Sequence, residues 1–513
     1  MEVGPEWLWQ QPMHDLTRRR ARQCIAMLTA ISTTLLLPGC SLFADNGPVR
    51  VAAIGAVHRN PDRAPSPLSL PDQLLLDAIG QGLVSQSADG QVEAGLAERW
   101  TVIDEGKSYI FRLREARWSN GQAVRASDIA AMLRQRISSS RLRPALRGEF
   151  RDVIQIRAMT SRVIEVQLRH PEPYLLELLG HPDMAIARGG QGWGPLSSFW
   201  RGGMVMLAPV PAASIDGEAQ VVGGSEPSIL MWGSNSAAAA AQFSAGDADA
   251  VIGGRYEGWP IVDAAGIGTN AVVIDPVQGL FGLAVAGDSG IVGDTAGRNA
   301  IAMAIDRQRL LRALAVPDWT PRITIRPPPT GTVGLAPVLP AWASSSMEQR
   351  KAIARTMVAD WRQRNASQNR PIVRIAMPDG PGTTIMFAWL RTDLGAIGID
   401  ARLVPLSADA ELRLIDEIAP SRDPAWYLRR LNCGRSLSCD PATSALIDAI
   451  DDSTTGDDRA NAIIAAEDAI TRHLGFIPLA SPLRWSLRGD RASGLRPNGR
   501  GHHGLYRLRS TPD

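Results

Sequence analysis

The sequence lacks an excess of charge of either sign. Its 513 residues include 54 lysines and arginines and 52 aspartates and glutamates, which gives a formal net charge of +2. Nucleic-acid binding depends on concentrated positive charge that neutralises phosphates, so this balance argues against a nucleic-acid partner. Lysine itself is almost absent, because Lys107 and Lys351 are the only two, and arginine carries nearly all the positive charge.

Apolar runs that could cross a bilayer are also lacking. The N-terminal run at residues 24–37 is shorter than the roughly 20 residues that a membrane helix needs. Arginines within residues 18–22 precede it, and this combination is typical of a secretory signal peptide. The run ends in Leu37-Pro38-Gly39-Cys40, which resembles a bacterial lipobox and implies cleavage before Cys40 and acylation of that cysteine. The alternative is an ordinary signal peptide followed by a chance cysteine.

Cysteine is scarce, with four in the chain. Cys24 would be removed with the signal peptide, and Cys40 would carry the lipid. Cys433 and Cys439 remain, and two close cysteines in an oxidising compartment predict a disulfide. Free thiols are an alternative. A metal site is disfavoured, because it would need two further ligands and His473 has no fitting spacing.

Strand and helix patterns alternate along the chain, which indicates an α/β or mixed protein. Strands are predicted at 49–55, 153–157 and 163–168, and helices at 125–137 and 298–314. The second and third strands flank a polar turn and predict a hairpin. Ser127 is the predicted N-cap of the helix at 125–137. The proline-rich stretch 321–340 predicts a surface loop.

One long segment carries an ordered series of motifs. The series reads Gly82-Leu83, Asp89-Gly90, Gly95-Leu96-Ala97-Glu98 with Trp100, Leu113-Arg114, Trp118-Ser119-Asn120-Gly121, and Ala126 with Asp128. In order and spacing it resembles the family-5 extracellular solute-binding proteins, the peptide and nickel class. Weaker similarities continue to about residue 510, among them Gly192-Trp193-Gly194-Pro195 and the segment Arg298 to Arg307.

The resemblance implies an α/β fold of two lobes joined by a hinge, with an extra inserted subdomain and a ligand cleft between the lobes. The expected boundaries are 1–40 for the signal peptide, 41–88 and 190–277 for lobe I, 89–189 for its inserted subdomain, 278–482 for lobe II, and 483–513 for the C-terminal return to lobe I. Ligand that contacts both lobes would favour the closed state.

The chain departs from the family pattern where peptide-binding members have W-x-A-D-Y-x-D-P. The corresponding residues here are 418–428, and Pro420 stands at the position of the aspartate that pairs with the ligand's α-amino group. Proline cannot accept an ammonium. Asp416 or Asp423 could take over that role, or both could be loop or capping carboxylates.

Four further residues are candidates for the ligand pocket. Trp426 and Tyr427 could stack on the ligand, with core packing as the alternative. Arg422 could bind a carboxylate through its planar fork of donors, or it could lie on the solvated surface. Trp193, in the glycine-rich turn, is a candidate pocket wall.

No set of residues predicts catalysis. Gly287-Asp288-Ser289-Gly290 resembles a serine-protease nucleophile loop, but no histidine lies in a matching context. His502 and His503 could bind a metal; an exposed tail without function is the preferred interpretation. We therefore expect no enzyme activity, no cofactor and no metal.

Together these patterns predict a monomeric, lipid-anchored solute-binding protein of an ABC importer. It would lie in the periplasm or on the cell-envelope face, with the membrane contacted through the lipid. Its partners would be a peptide or peptide-like ligand and the permease and ATPase complex. The alternative is a degenerate member of the same family that serves as a scaffold or sensor lipoprotein without transport.

Overall fold

The computed structural model describes most of the chain from Gly47 onward. The described residues are 47–64, 67–87, 89–118, 121–139, 142–210, 227–329, 334–366, 369–433, 437, 440–453 and 455–509. The predicted signal peptide at 1–40 and the predicted lipid attachment at Cys40 lie outside them. None of the helices among these residues combines the length and the apolar character needed to cross a membrane.

Strands and helices alternate through the described residues. The strands are β1 (Val49–Ile54), β2 (Val84–Gln86), β3 (Val92–Ala94), β4 (Ala97–Ile103), β5 (Ser108–Leu113), β6 (Val153–Thr160), β7 (Val163–Leu168), β8 (Ala187–Arg188), β9 (Gln191–Gly192), β10 (Leu196–Arg201), β11 (Met204–Pro209), β12 (Ile229–Ser234), β13 (Ala250–Arg255), β14 (Val272–Ile274), β15 (Gly279–Val285), β16 (Ile372–Met377), β17 (Asp400–Pro405), β18 (Leu412–Ile418), β19 (Phe476–Ala480) and β20 (Arg484–Arg488). The helices are α1 (Leu70–Gly80), α2 (Ala126–Ile137), α3 (Leu175–Leu179), α4 (Ser236–Ser244), α5 (Trp259–Ala264), α6 (Thr295–Ala304), α7 (Arg307–Arg312), α8 (Met347–Arg364), α9 (Pro381–Gly395), α10 (Trp426–Arg430), α11 (Pro441–Asp448) and α12 (Gly456–His473).

A seven-stranded sheet forms the first lobe, in the order β10-β11-β12-β1-β13-β20-β14. The predicted first strand is confirmed as β1, which pairs in parallel with β12 and β13 and is buried at Val49, Val51, Ala52 and Ala53. Such a central parallel strand needs the near-continuous apolar run that the sequence supplies. β20, from near the C-terminus, pairs antiparallel with β13 and β14.

A five-stranded sheet forms the second lobe, in the order β17-β16-β18-β15-β19. β15 lies between β18 and β19 and is buried along its whole length. α9 connects β16 to the parallel strand β17, and its buried residues include Met386, Leu390 and Leu394.

A smaller antiparallel sheet, in the order β4-β5-β7-β6, forms the inserted subdomain. Its β6–β7 hairpin confirms the predicted one. The helix predicted at 125–137 is confirmed as α2, but the predicted N-cap is wrong. Arg125 occupies the N-cap position without a side-chain cap, and the Ser127 hydroxyl instead contacts the neighbouring Asp128 carboxylate at 3.4 Å.

Two other predictions from the sequence need correction. The helix predicted at 298–314 is two helices, α6 and α7, because Ile305 is extended and the Asp306 side chain caps α7. The proline-rich stretch 321–340 does not lie entirely on the surface. Thr324, Ile325 and Arg326 are buried, since Arg326 forms a salt bridge with the buried carboxylate of Glu467 on α12.

Within the described residues, the chain passes between the two large sheets twice, at residues 275–278 and at residues 481–483. Beside these crossings the lobes touch: the Tyr256 hydroxyl lies 2.9 Å from the Thr383 hydroxyl of α9. The approach is close enough to require glycine at 382, since a Cβ there would lie 2.1 Å from the Tyr256 carbonyl oxygen. The two crossings and this contact therefore connect the two lobes.

Candidate ligand-binding cleft

Asp416 lies on β18 of the second lobe and binds two arginines of the first lobe. Its carboxylate oxygens lie 2.9 Å from Nη2 of Arg255 and 2.8 Å from Nη1 of Arg484. Both guanidinium groups also donate to its backbone carbonyl. Burial alone would raise the pKa of Asp416, but the two arginines outweigh burial and hold that pKa below its ordinary value. Asp416 therefore joins the lobes as an ionised carboxylate.

Arg422 follows β18 in a loop and reaches across to the inserted subdomain. Its Nε donates to the carboxylate of Glu177 on α3 at 2.7 Å, and its backbone N–H donates to the same carboxylate at 2.9 Å. Arg500, from the C-terminal segment, donates to Glu177 and to the carbonyl of Ala419. One buried carboxylate is thus shared by guanidinium groups from distant segments.

Asp423 lies in a buried ion network between the second lobe and the subdomain. Its carboxylate accepts from Arg429 at 2.6 Å and from Arg459 at 3.0 Å, and Arg429 also binds the buried Glu149. Burial raises the pKa of Asp423, but Arg429 and Arg459 outweigh it, so the pKa falls below its ordinary value. Nearby Glu172 has its pKa raised to about 7, by burial first and by Asp423 second.

Trp426 and Tyr427 begin α10 and lie in a core cluster of the second lobe. Trp426 exposes none of its surface, and its indole N–H donates to the carbonyl of Ala145 in the subdomain at 2.7 Å. The two rings meet edge to face with centroids 5.0 Å apart. Burial raises the pKa of Tyr427 to about 12, so its hydroxyl stays protonated at physiological pH.

Trp193 has different neighbours from the other five predicted residues. It is partly buried against the core of the inserted subdomain. The guanidinium of Arg114 lies over its ring, 4.9 Å from the centroid, in a cation–π contact. Asp416, Arg422 and Trp426 each contact a group of the first lobe or its inserted subdomain. Trp193 instead packs within that subdomain.

The structure brings in residues that sequence reasoning missed, namely Arg255, Arg484, Glu177, Glu149 and Arg500. They come from segments more than 60 residues away from their partners, so no local pattern links them. Glu177 alone carried a local signal, because it is the one charged residue in the apolar run Leu175–Leu179. A carboxylate in such a run is expected to have a buried partner.

Both C-terminal histidines were predicted to lie exposed in a tail, and this prediction is wrong. The His502 ring lies 3.2 Å from Asp77, and the buried His503 ring lies 3.0 Å from Asp275. Cys433 is disulfide-bonded, while Cys439, its predicted partner, lies outside the described residues. Within the described part of the chain, no three His, Cys, Asp or Glu side chains are arranged to hold a metal ion.

Solved structures with the same fold are two-lobe periplasmic binding proteins. The murein tripeptide binding protein MppA of Escherichia coli aligns with a TM-score of 0.73 and 17% identity, over 88% of this chain and 96% of that one. Haemophilus influenzae OppA, in complex with the peptide RPPGFSPFR, aligns with a TM-score of 0.74 and 16% identity, over 90% and 98%. The predicted two-lobe α/β fold is therefore confirmed.

Sequence comparison adds a match to one family model over part of the chain. Residues 91–199 match the family described as "Bacterial extracellular solute-binding proteins, family 5 Middle". This match confirms the predicted resemblance over residues 91–199.

Curated relatives match over limited segments. The "Probable deoxycholate-binding periplasmic protein YgiS" of Escherichia coli is 30% identical over 158 residues, which are 26% of this chain and 29% of that protein. The oligopeptide-binding protein OppA of Bacillus subtilis is 27% identical over 171 residues, 28% of this chain and 31% of that protein. The matches therefore span less than a third of either relative.

Proposed function

We propose that this protein is the solute-binding subunit of an ABC importer and takes a peptide or peptide-like ligand between its two lobes. The observation that carries the proposal is the family-5 segment at residues 91–199 in a chain with the same two-lobe fold as the peptide complex of OppA. The named relatives and structural neighbours are binding proteins, which favours binding without catalysis.

Closure around the two interlobe crossings would be the working motion. The crossings at 275–278 and 481–483 separate strands of different sheets, which supports the predicted boundaries at 277/278 and 482/483. A ligand that touches both lobes binds the closed state better than the open state, and only this difference in affinity can shift the equilibrium. Residues of the segment from Asp416 to Tyr427 contact the first lobe or its subdomain, so this segment is the proposed ligand wall on the second-lobe side.

The cellular setting is part of the same proposal. Acylation at Cys40 would hold the protein on the membrane at the periplasmic or outer face of the cell envelope. The closed, monomeric protein would then deliver its ligand to a permease and ATPase complex. The lipobox-like sequence and the short apolar run before it support this setting.

A degenerate scaffold or sensor lipoprotein is the second candidate, and one observation favours it. Pro420 occupies the position of the family's ammonium-binding aspartate, and the nearby Asp416 and Asp423 are each bound by two arginines. A carboxylate that is already satisfied in this way has little to offer a ligand ammonium. A scaffold would keep the fold without capturing a solute.

Native mass spectrometry of the full chain in detergent tests the proposal. We expect a discrete bound mass that mild denaturation releases. Arg484→Gln, which removes a first-lobe partner of Asp416, should retain less of this mass. Arg402→Gln should retain it fully, because that arginine is 57% exposed and pairs with Asp400 on the edge strand β17.

The two candidates give different results in this experiment. A clean protein mass, with no thermal shift on adding peptides or nickel, would contradict the binding subunit and support the scaffold. Release of a reaction product in place of an unchanged ligand would instead contradict the absence of catalysis.

A further inference from the structure

The acidic residues between 416 and 423 are all bound by arginines of the protein itself. The pairs are Asp416 with Arg255 and Arg484, Glu417 with Arg430, and Asp423 with Arg429 and Arg459. The side chains of Asp416 and Asp423 are 6% and 1% exposed. A ligand ammonium would have to displace a guanidinium to reach either of them, and that would leave a buried positive charge without its partner.

Arg422 is the charged residue of this segment that faces outward. Its side chain is 67% exposed, although Nε and the backbone N–H hold the Glu177 carboxylate. Both Nη groups are without a hydrogen-bond partner among the described residues. Glu177 therefore holds the Nε edge of the Arg422 guanidinium in place, and the two Nη groups on the other edge can donate to an incoming acceptor.

Arg500 adds a second positive charge at the same place. Its Nη2 lies 2.5 Å from Glu177, and its Nη1 donates to the Ala419 carbonyl, one residue before Pro420. Its side chain is only 13% exposed, so it is much less accessible than Arg422. Two guanidinium groups around one carboxylate leave a local excess of one positive charge, on a surface formed by both lobes.

We propose that the cleft recognises the carboxylate of its ligand through Arg422 and needs no free ligand ammonium. The ligand class is thus acidic or N-blocked peptide-like molecules, and Glu177 and Arg500 position the arginine. This rests on the proposed function, because it names the substrate class of the same cleft. Planar, charge-assisted donors suit a carboxylate, which can accept two parallel hydrogen bonds.

Isothermal titration calorimetry of the full chain in detergent tests this with two probes of equal length. N-acetyl-trialanine has one carboxylate and no ammonium, whereas trialaninamide has one ammonium and no carboxylate. We expect the acetylated probe to bind at least about tenfold more tightly, a ratio equivalent to about 1.4 kcal/mol. Arg422→Gln should lower the affinity for it about tenfold or more, and Arg422→Lys should restore part of the loss.

Arg402→Gln is the matched control, since it also removes an exposed arginine that contacts one carboxylate. It should leave the affinity for N-acetyl-trialanine unchanged. Equal or tighter binding of trialaninamide, or an unchanged affinity in Arg422→Gln, would overturn the inference and leave the proposed function standing. Failure of the wild-type protein to bind either probe, together with a clean native mass, would overturn the proposed function and this inference with it.

Discussion

Replacing Asp423 by asparagine should destabilise the protein strongly. The asparagine keeps the shape of the side chain and the hydrogen bond that the Ala425 N–H donates. It removes the negative charge that Arg429 and Arg459 share. Removing one partner of a buried ion pair leaves an uncompensated charge and costs about 3–5 kcal/mol. Glu149 still binds Arg429, so we expect the lower end, about 3 kcal/mol.

Urea denaturation of the wild type and the variant, followed by far-UV circular dichroism, measures this loss as a shift of the midpoint at constant slope. The pKa of Asp423 is lowered in the folded state, so its contribution is present above the unfolded pKa of about 3.9. This stabilisation is lost as the pH falls through the pKa that Asp423 has in the folded state. The difference between wild type and variant should therefore be constant near neutral pH and shrink below about pH 4.

Asp468→Asn is the control for the Asp423 experiment, because Asp468 forms an exposed pair with Arg472 on one face of α12. Such surface pairs contribute about 0.5 kcal/mol or less. A loss below about 1 kcal/mol in Asp423→Asn, or an equal loss in both variants, would refute the reasoning that the buried network stabilises the fold.

Three further substitutions test other parts of the cleft. The pKa of Glu172 is raised to about 7 in the folded state, so the wild type should lose stability as the pH rises towards 7. The Glu172→Gln variant should not show this loss, and equal pH profiles of the two proteins in urea denaturation would contradict the reasoning. Asp416→Asn should loosen the contact between the lobes and increase the radius of gyration in small-angle X-ray scattering; an unchanged radius would count against an interlobe tether. Trp426→Phe should cost about 1–3 kcal/mol in thermal denaturation, because the buried Ala145 carbonyl loses its donor; an unchanged midpoint would disprove that role.

Local patterns were enough to predict much of the fold. The apolar run at 49–55 and the alternation at 153–168 depend on neighbouring residues, and both elements formed as predicted. Local patterns failed where a distant partner decides the conformation. The composition of the proline-rich stretch 321–340 predicts solvent exposure, yet Arg326 is buried because it pairs with Glu467, which lies 141 residues further along the chain.

Sequence reasoning proposed only the second-lobe side of the candidate cleft. The segment from Asp416 to Tyr427 is a candidate because it is contiguous and aligns with a family motif. Its partners Arg255, Glu177 and Arg500 are each isolated in sequence, and an arginine in a chain so rich in arginine carries no signal of its own. The topology of the fold determines which carboxylate an arginine binds. Here the return of β20 and the C-terminal segment to the first lobe supplies Arg484 and Arg500.

The ion pairs between the lobes differ in what they can contribute to closure. For the buried pairs of Asp416 with Arg255 and Arg484, and of Arg429 with Glu149, desolvation offsets most of the Coulomb attraction. These pairs therefore fix the alignment of the lobes more than they drive them together. The exposed guanidinium of Arg422 keeps its hydration and can accept a new anion at little cost. Exposed charges are screened by salt and buried ones much less. Ligand affinity through Arg422 should therefore weaken as ionic strength rises, while the stability of the Asp423 network stays nearly constant.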